Sequence, residues 1–227
     1  MQWREHLPAW VLFRKPPSQS EVLNDINRDI VTLYRCVQQH LDELGRHFKF
    51  QLVARDEFRR KLAESPEVMT DIQRAARFLY LHQNAFAGHV DRTPAFGVSA
   101  KRRPRINLLH LTETLSEVHI RLADVYIENL PYAELIHRYD RPGTFFYIDP
   151  PYWDCEEDYG KGIFCKADFG RLAELLRGLQ GRFLLSLNDT PEIRAIFSGF
   201  LFEEVQVTYS SSRTSRPRAK ELFISNY

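Results

Sequence analysis

Hydrophobic residues in this chain fall into a few short runs separated by long stretches of helical spacing. Thr144 to Ile148, TFFYI, is unbroken β-branched and aromatic sequence and predicts a short buried strand. It stops at Asp149-Pro150-Pro151-Tyr152. Proline has no N–H for a ladder, and it holds the residue before it in extended geometry. Asp149 is therefore expected at the strand's carboxyl end. Glu21 to Asp25 and Phe183 to Leu187 read as further strands. Phe202 to Tyr209 and Glu221 to Tyr227 are the last two, close enough in sequence to pair as a hairpin. Asp29 to Leu44 carries Ile30, Leu33, Tyr34, Val37 and Leu41 at helical period, with Gly45 expected to close the helix. Ala9 to Lys15 reads as the tail of a helix ended by Pro16-Pro17. From Arg55 to Tyr139 the pattern is mainly helical, with stretches near Arg55–Glu64, Pro66–Gln83, Arg105–Leu111 and Leu130–Tyr139; His119 to Tyr126 has the look of a short strand. Asp168 to Leu179 predicts a helix capped by Asp168. Pro191 to Phe197 predicts another, capped from Asn188-Asp189-Thr190 with proline at its first position. Strands interleaved with helices predict an α/β fold.

At 227 residues the chain is long enough for one domain, or one domain with an inserted lobe. Its formal net charge of +1 gives no overall attraction to a polyanion, so any basic surface must be local. The sharpest cluster is AKRRPR, with Lys101, Arg102, Arg103 and Arg105 beside the helix-breaking Pro104. An exposed loop of this kind suits phosphate contact; arginine can also read guanine edges, and a merely solvated loop is the bland alternative. A second basic loop, SSSRTSRPRAK, holds Arg213 and Arg216 between the last two strands. Cys36, Cys155 and Cys165 show neither zinc spacing nor CxxC, which predicts reduced thiols in a cytoplasmic protein and no metal site. No apolar run approaches 18 residues, and MQWREHLPAW lacks the apolar centre of a signal peptide.

The chemistry concentrates at Asp149 to Tyr152. An acceptor carboxylate, a rigid proline carbonyl and an aromatic ring in one small volume suit a planar ring bearing an amino group. The ring stacks on Tyr152, and the amino hydrogens go to Asp149 and the Pro150 carbonyl. An aniline-like nitrogen is a poor nucleophile because its lone pair is delocalised. Two acceptors placed tetrahedrally favour sp³ character and return that lone pair. A strand followed by a Pro-Pro turn, with Asp149 as a cap, is the plain alternative. Trp153 to Ala167 is irregular and long, as active-site lids often are.

DPPY after an apolar strand resembles the catalytic motif of the Dam-like (class alpha, D12-type) DNA adenine-N6 methyltransferases. KPPSQSEVLNDIN, ARFLYLHQNAFAG, FLLSLNDTPEI and KELFISNY resemble further blocks of that family, in family order, from about Val11 to Tyr227. The resemblance implies a Rossmann-like sheet, mostly parallel with an antiparallel C-terminal hairpin, and methyl transfer from S-adenosyl-L-methionine to an adenine flipped out of double-stranded DNA. It implies a catalytic core at residues 1–52 and 118–227 and a helical target-recognition lobe at 53–117. Asp149, Pro150, Pro151 and Tyr152 take the catalytic positions. Asn24 and Asp25 match the block that holds the cofactor's ribose, although Asp25 could also be a helix cap, as could Asn27 or Asp29. Asp124 takes a position from which relatives approach the cofactor, and Asp149 borders it too. Asn84 and Phe86 match a block shaping the target-base side. Trp153 to Ala167 would then close over the flipped base.

The chain departs from the family at its start. A W-A-G-G-K-like block and a Gly-rich turn on the sheet's central strand are expected, whereas Met1 to Trp10 contains no glycine. Without that strand, its neighbours would pair with each other or leave open edges. This predicts an N-terminally truncated product, of prophage type, or a partner chain that supplies the missing part. A non-catalytic DNA-binding remnant is the rival reading. Action on RNA or a protein amide fits less well, and a cytosine-C5 mechanism lacks its Pro-Cys nucleophile. Restriction-modification, gene regulation and phage self-protection all stay open.

Overall fold

A computed structural model describes residues 9–85, 95–97, 108–156, 162–208 and 218–227. They divide into two compact units, Met1–Pro131 and Tyr132–Tyr227.

The first unit contains α1 (Trp10–Arg14), β1 (Glu21–Asn24), α2 (Arg28–Gln39), α3 (Leu41–Phe48), α4 (Arg55–Ala63), a 3₁₀ turn (Pro66–Val68), α5 (Asp71–Asn84), α6 (Leu108–Leu122) and β2 (Val125–Glu128). β1 and β2 are parallel, with Glu21 opposite Val125 and Asn24 opposite Glu128. One core runs through the unit: Leu33, Tyr34 and Val37 of α2 pack with Phe58 of α4, Leu79 and Leu81 of α5 and Leu115 and Leu122 of α6. The helices of 53–117 thus share their core with α2, β1 and β2 and do not bury one of their own. The Gln38 amide donates to the Leu122 and Val125 carbonyls at 2.7 and 3.0 Å, tying α2 to the α6–β2 turn.

Three sequence expectations are corrected in this unit. Gly45 does not close the first long helix. The break comes at His40, and α3 continues through Gly45, burying Leu44 and Phe48. A mid-helix glycine costs only about 1 kcal/mol, less than the burial of a Leu and a Phe returns. His119 to Leu122 is helix, because Leu111, Leu115, Val118 and Leu122 continue one buried stripe; the strand starts only at Val125. The helix expected from Pro66 starts at Asp71, where Thr70 and Gln73 bond reciprocally to each other's backbone N–H at 3.3 and 3.1 Å.

The second unit contains α7 (Tyr132–Tyr139), β3 (Phe145–Ile148), α8 (Lys166–Arg177), β4 (Arg182–Asn188), α9 (Pro191–Ile196), β5 (Leu201–Thr208) and β6 (Arg218–Ser225). Its sheet has the order β3-β4-β6-β5: β3 and β4 are parallel, and β6 pairs antiparallel with both β4 and β5. Parallel strands and the antiparallel C-terminal hairpin are therefore as expected for the α/β methyltransferase fold. Phe169, Phe183, Leu185, Leu187, Phe197, Leu222 and Ile224 form its core. Asp168 is not the cap of α8. Cys165 is, and the Asp168 carboxylate reaches back to its N–H at 2.9 Å. CKAD is a capping box with cysteine in the usual serine position.

Candidate active site

At the end of β3 the two prolines stop the ladder as expected. Register fixes what surrounds Asp149. Tyr147 is opposite Leu184, Ser186 is opposite Phe223, and Asn188 is opposite Glu221. Side chains alternate across a sheet, so Tyr147, Asp149, Ser186, Asn188 and Glu221 share one face near the carboxyl edge of β3 and β4. Leu185 and Leu187 point to the other face, into the core.

Asp149 is exposed, Pro150 and Tyr152 are half-buried, and Pro151 is buried. The Asp149 carboxyl is pushed up to about 6, first by desolvation and then by the Glu221 charge. No hydrogen bond from a described residue offsets these effects. Exposure of the residue and desolvation of its carboxyl are compatible: part of Asp149 meets solvent, while the surrounding protein displaces most of the water that would stabilise the charge. Burial, followed by the Asp149 charge, likewise raises the Tyr147 hydroxyl.

The segment after the prolines is pinned on every side. The Tyr152 hydroxyl is 3.5 Å from Ser186 Oγ. Trp153 N–H donates to Asn188 Oδ1 at 2.8 Å, and Asn188 Nδ2 donates back to the Trp153 carbonyl at 3.1 Å. Cys155 N–H closes a turn onto the Tyr152 carbonyl at 2.8 Å, with Asp154 at φ 67°, a conformation Asp tolerates better than most residues. Lys166 bonds Asp154 at 2.7 Å and lies over the Trp153 ring, which packs on Phe169. Of the stretch read as a lid, the first residues are anchored and Lys166 already belongs to α8; residues 157–161 lie outside the described residues.

The first unit has its own carboxyl edge. Asp25 follows β1, and its Oδ1 accepts the Asn27 N–H at 2.7 Å. Asn27, not Asp25, caps α2, accepting the Asp29 N–H at 2.9 Å. Asn24 is committed to structure: its amide donates to the Leu130 carbonyl at 3.0 Å and accepts the Leu130 N–H at 2.9 Å. Asp124 precedes β2 and so sits at the amino edge, about 17 Å along the parallel strands from Asp25. Asn129 occupies the carboxyl edge instead, donating to the Asp25 and Ile26 carbonyls at 2.7 and 3.1 Å. Asn84 is buried in α5 and bonds the Tyr80 carbonyl at 2.8 Å. Phe86, Lys101, Arg102, Arg103, Arg105, Arg213 and Arg216 lie outside the described residues.

Sequence reasoning missed Ser186, Asn188, Glu221 and Asn129. SLND and KELFISNY, blocks already noted for their resemblance, hold Ser186, Asn188 and Glu221; nothing in the sequence marked Asn129.

Residues 10–211 match the D12 class N6 adenine-specific DNA methyltransferases. The chain belongs to that family. It is 25% identical over 195 residues to Type II methyltransferase M.CviBI of Paramecium bursaria Chlorella virus NC1A, covering 84% of this chain and 73% of the viral one. It is 25% identical over 236 residues to Type II methyltransferase M1.LlaDCHI of Lactococcus lactis subsp. cremoris, covering 95% and 82% respectively. It is also 25% identical over 200 residues to Type II methyltransferase M.MjaIII of Methanocaldococcus jannaschii, covering 75% and 65%. The family is one of adenine-specific DNA methyltransferases, these relatives are type II methyltransferases, and methyltransferases of this family generally use S-adenosylmethionine. Among the described residues, no helix of this D12 chain is long and apolar enough to cross a membrane.

Proposed function

We propose that this chain transfers a methyl group from S-adenosylmethionine to N6 of an adenine swung out of duplex DNA. The observation that carries the reading is Asp149: a carboxylate at a strand's carboxyl end, in desolvated surroundings, with no described hydrogen-bond donor on it and Tyr152 held beside it. Such an acceptor is ready for an incoming amino group. Asp149 takes one N6 hydrogen and the Pro150 carbonyl takes the other. The Tyr152 ring carries the base by stacking. The buried Pro151 keeps the backbone from giving way as charge develops on the amine.

The donor set of the first unit fits the nucleoside end of the cofactor. The half-buried Asp25 carboxylate is oriented by the Asn27 N–H and suits a ribose diol. Asn24 acts by fixing the Leu130 backbone, and Asn129 by fixing the carbonyls of Asp25 and Ile26. When bound, S-adenosylmethionine supplies a methyl group activated by its sulfonium. Lys101, Arg102, Arg103, Arg105, Arg213 and Arg216 would meet DNA phosphates, and the 53–117 helices would carry target recognition, with Asn84 and Phe86 toward the base.

The test is calorimetric binding of S-adenosylmethionine followed by tritium transfer to DNA from a methylation-deficient host. Micromolar binding and transfer by the wild type are expected. Asp149→Ala should abolish transfer and leave DNA binding within about twofold, since one carboxylate beside the base contributes little to phosphate-dominated affinity. Folded wild-type protein that binds DNA but no cofactor would establish a DNA-binding remnant instead.

A further inference from the structure

We infer that Asn188 is a positioning residue for this reaction, holding the Tyr152 ring through the backbone of Trp153; the inference rests on the methyl-transfer reading above. Trp153 lies outside regular structure, and one side chain satisfies both of its backbone polar groups, at 2.8 and 3.1 Å. Asn188 is well suited to hold them. It ends β4, a strand paired on both sides, and its cross-strand partner is the buried Glu221. Ser186, two residues earlier on the same face and 3% exposed, lies 3.5 Å from the Tyr152 hydroxyl. The ring is therefore held at its backbone end by Asn188, with Ser186 of the same strand lying beside its hydroxyl. Asn188 acts through the Trp153 backbone, so it is a positioning residue and not a catalytic one.

The geometry demands an amide at 188. The side chain must accept an N–H and donate to a carbonyl. Aspartate keeps the first bond, loses the second and places a charge against both the Trp153 carbonyl and Glu221. Alanine loses both bonds.

The test compares wild type, Asn188→Asp and Asn188→Ala by backbone hydrogen exchange without substrate, and by single-turnover transfer from S-adenosylmethionine to unmethylated DNA. In Asn188→Ala, exchange at the Trp153 and Cys155 amides should rise about tenfold or more, while the β4 and β6 amides keep their protection. Its single-turnover rate should fall roughly 10- to 100-fold, the usual cost of a misplaced reacting partner, with cofactor affinity within about twofold of wild type. Asn188→Asp should fall between the two in exchange. Unchanged exchange at Trp153, or a rate loss no greater than the loss of folded protein, overturns the positioning role. A wild type that transfers no methyl overturns the reaction assignment itself, and is told apart because the exchange measurement needs no turnover.

Discussion

Acidification should titrate the reaction through Asp149. Only the ionised carboxylate is a pure acceptor, because the protonated form presents an O–H to the amine it is meant to hold. With the carboxyl pushed up to about 6, the ionised fraction is roughly 9% at pH 5, 50% at pH 6 and 91% at pH 7. The single-turnover rate on unmethylated DNA should therefore climb about tenfold from pH 5 to pH 7 and then level off. An ordinary carboxylate would already be saturated at pH 5. Glu221→Gln removes the like charge and should move the limb to lower pH. Desolvation, the larger cause, still keeps it above the usual 3.8. Stability runs the other way. A group whose folded value is raised contributes fully below its unfolded value, and that contribution is lost as pH rises through about 6. Asp149→Asn should consequently unfold at a higher temperature than wild type at pH 8, with the difference gone at pH 4. A rate flat from pH 5 to 7, or a limb that Glu221→Gln moves upward, would refute the reasoning.

Glu21 is the opposite case. Burial would raise its carboxyl, but bonds from Arg121 at 2.9 Å, from Lys15 and from the Ser18 N–H hold it down at about 2 against an ordinary 4.5. That depression stabilises the fold by about 3 kcal/mol above pH 4.5, and the contribution is lost as pH falls toward 2. Glu21→Gln should lower the urea-unfolding free energy at pH 7 by roughly 3 kcal/mol, since it leaves Arg121 half-paired in a buried site; a change under about 1 kcal/mol would show that the cluster is solvated. Asp25→Asn keeps the oxygen that accepts the Asn27 N–H but loses the charge. It should weaken S-adenosylmethionine binding by roughly 10- to 100-fold, with little change in melting temperature. Equal binding would remove Asp25 from the ribose.

Composition and spacing made legible the residues that end strands, and little of what holds them in place. Asp149 could be placed from sequence because two prolines must stop a ladder, a constraint that acts on its nearest neighbours. The choice among Asp25, Asn27 and Asp29 for the α2 cap could not be made, because all three residue types accept an N–H equally well; backbone geometry gave the cap to Asn27. Asn24 shows the same gap from the other side. Its place in a family block suggested a ligand contact, yet both ends of its amide go to Leu130, 106 residues away. Asn188 and Trp153 are 35 residues apart and likewise meet through one side chain and one backbone. A bond to backbone demands nothing of the partner's side chain, so it leaves no residue pattern at the partner's position. Side chains that meet reactants are constrained by chemistry at their own position and can be read one at a time. Side chains that orient a loop are constrained by register, and become visible only once β4 is laid between β3 and β6.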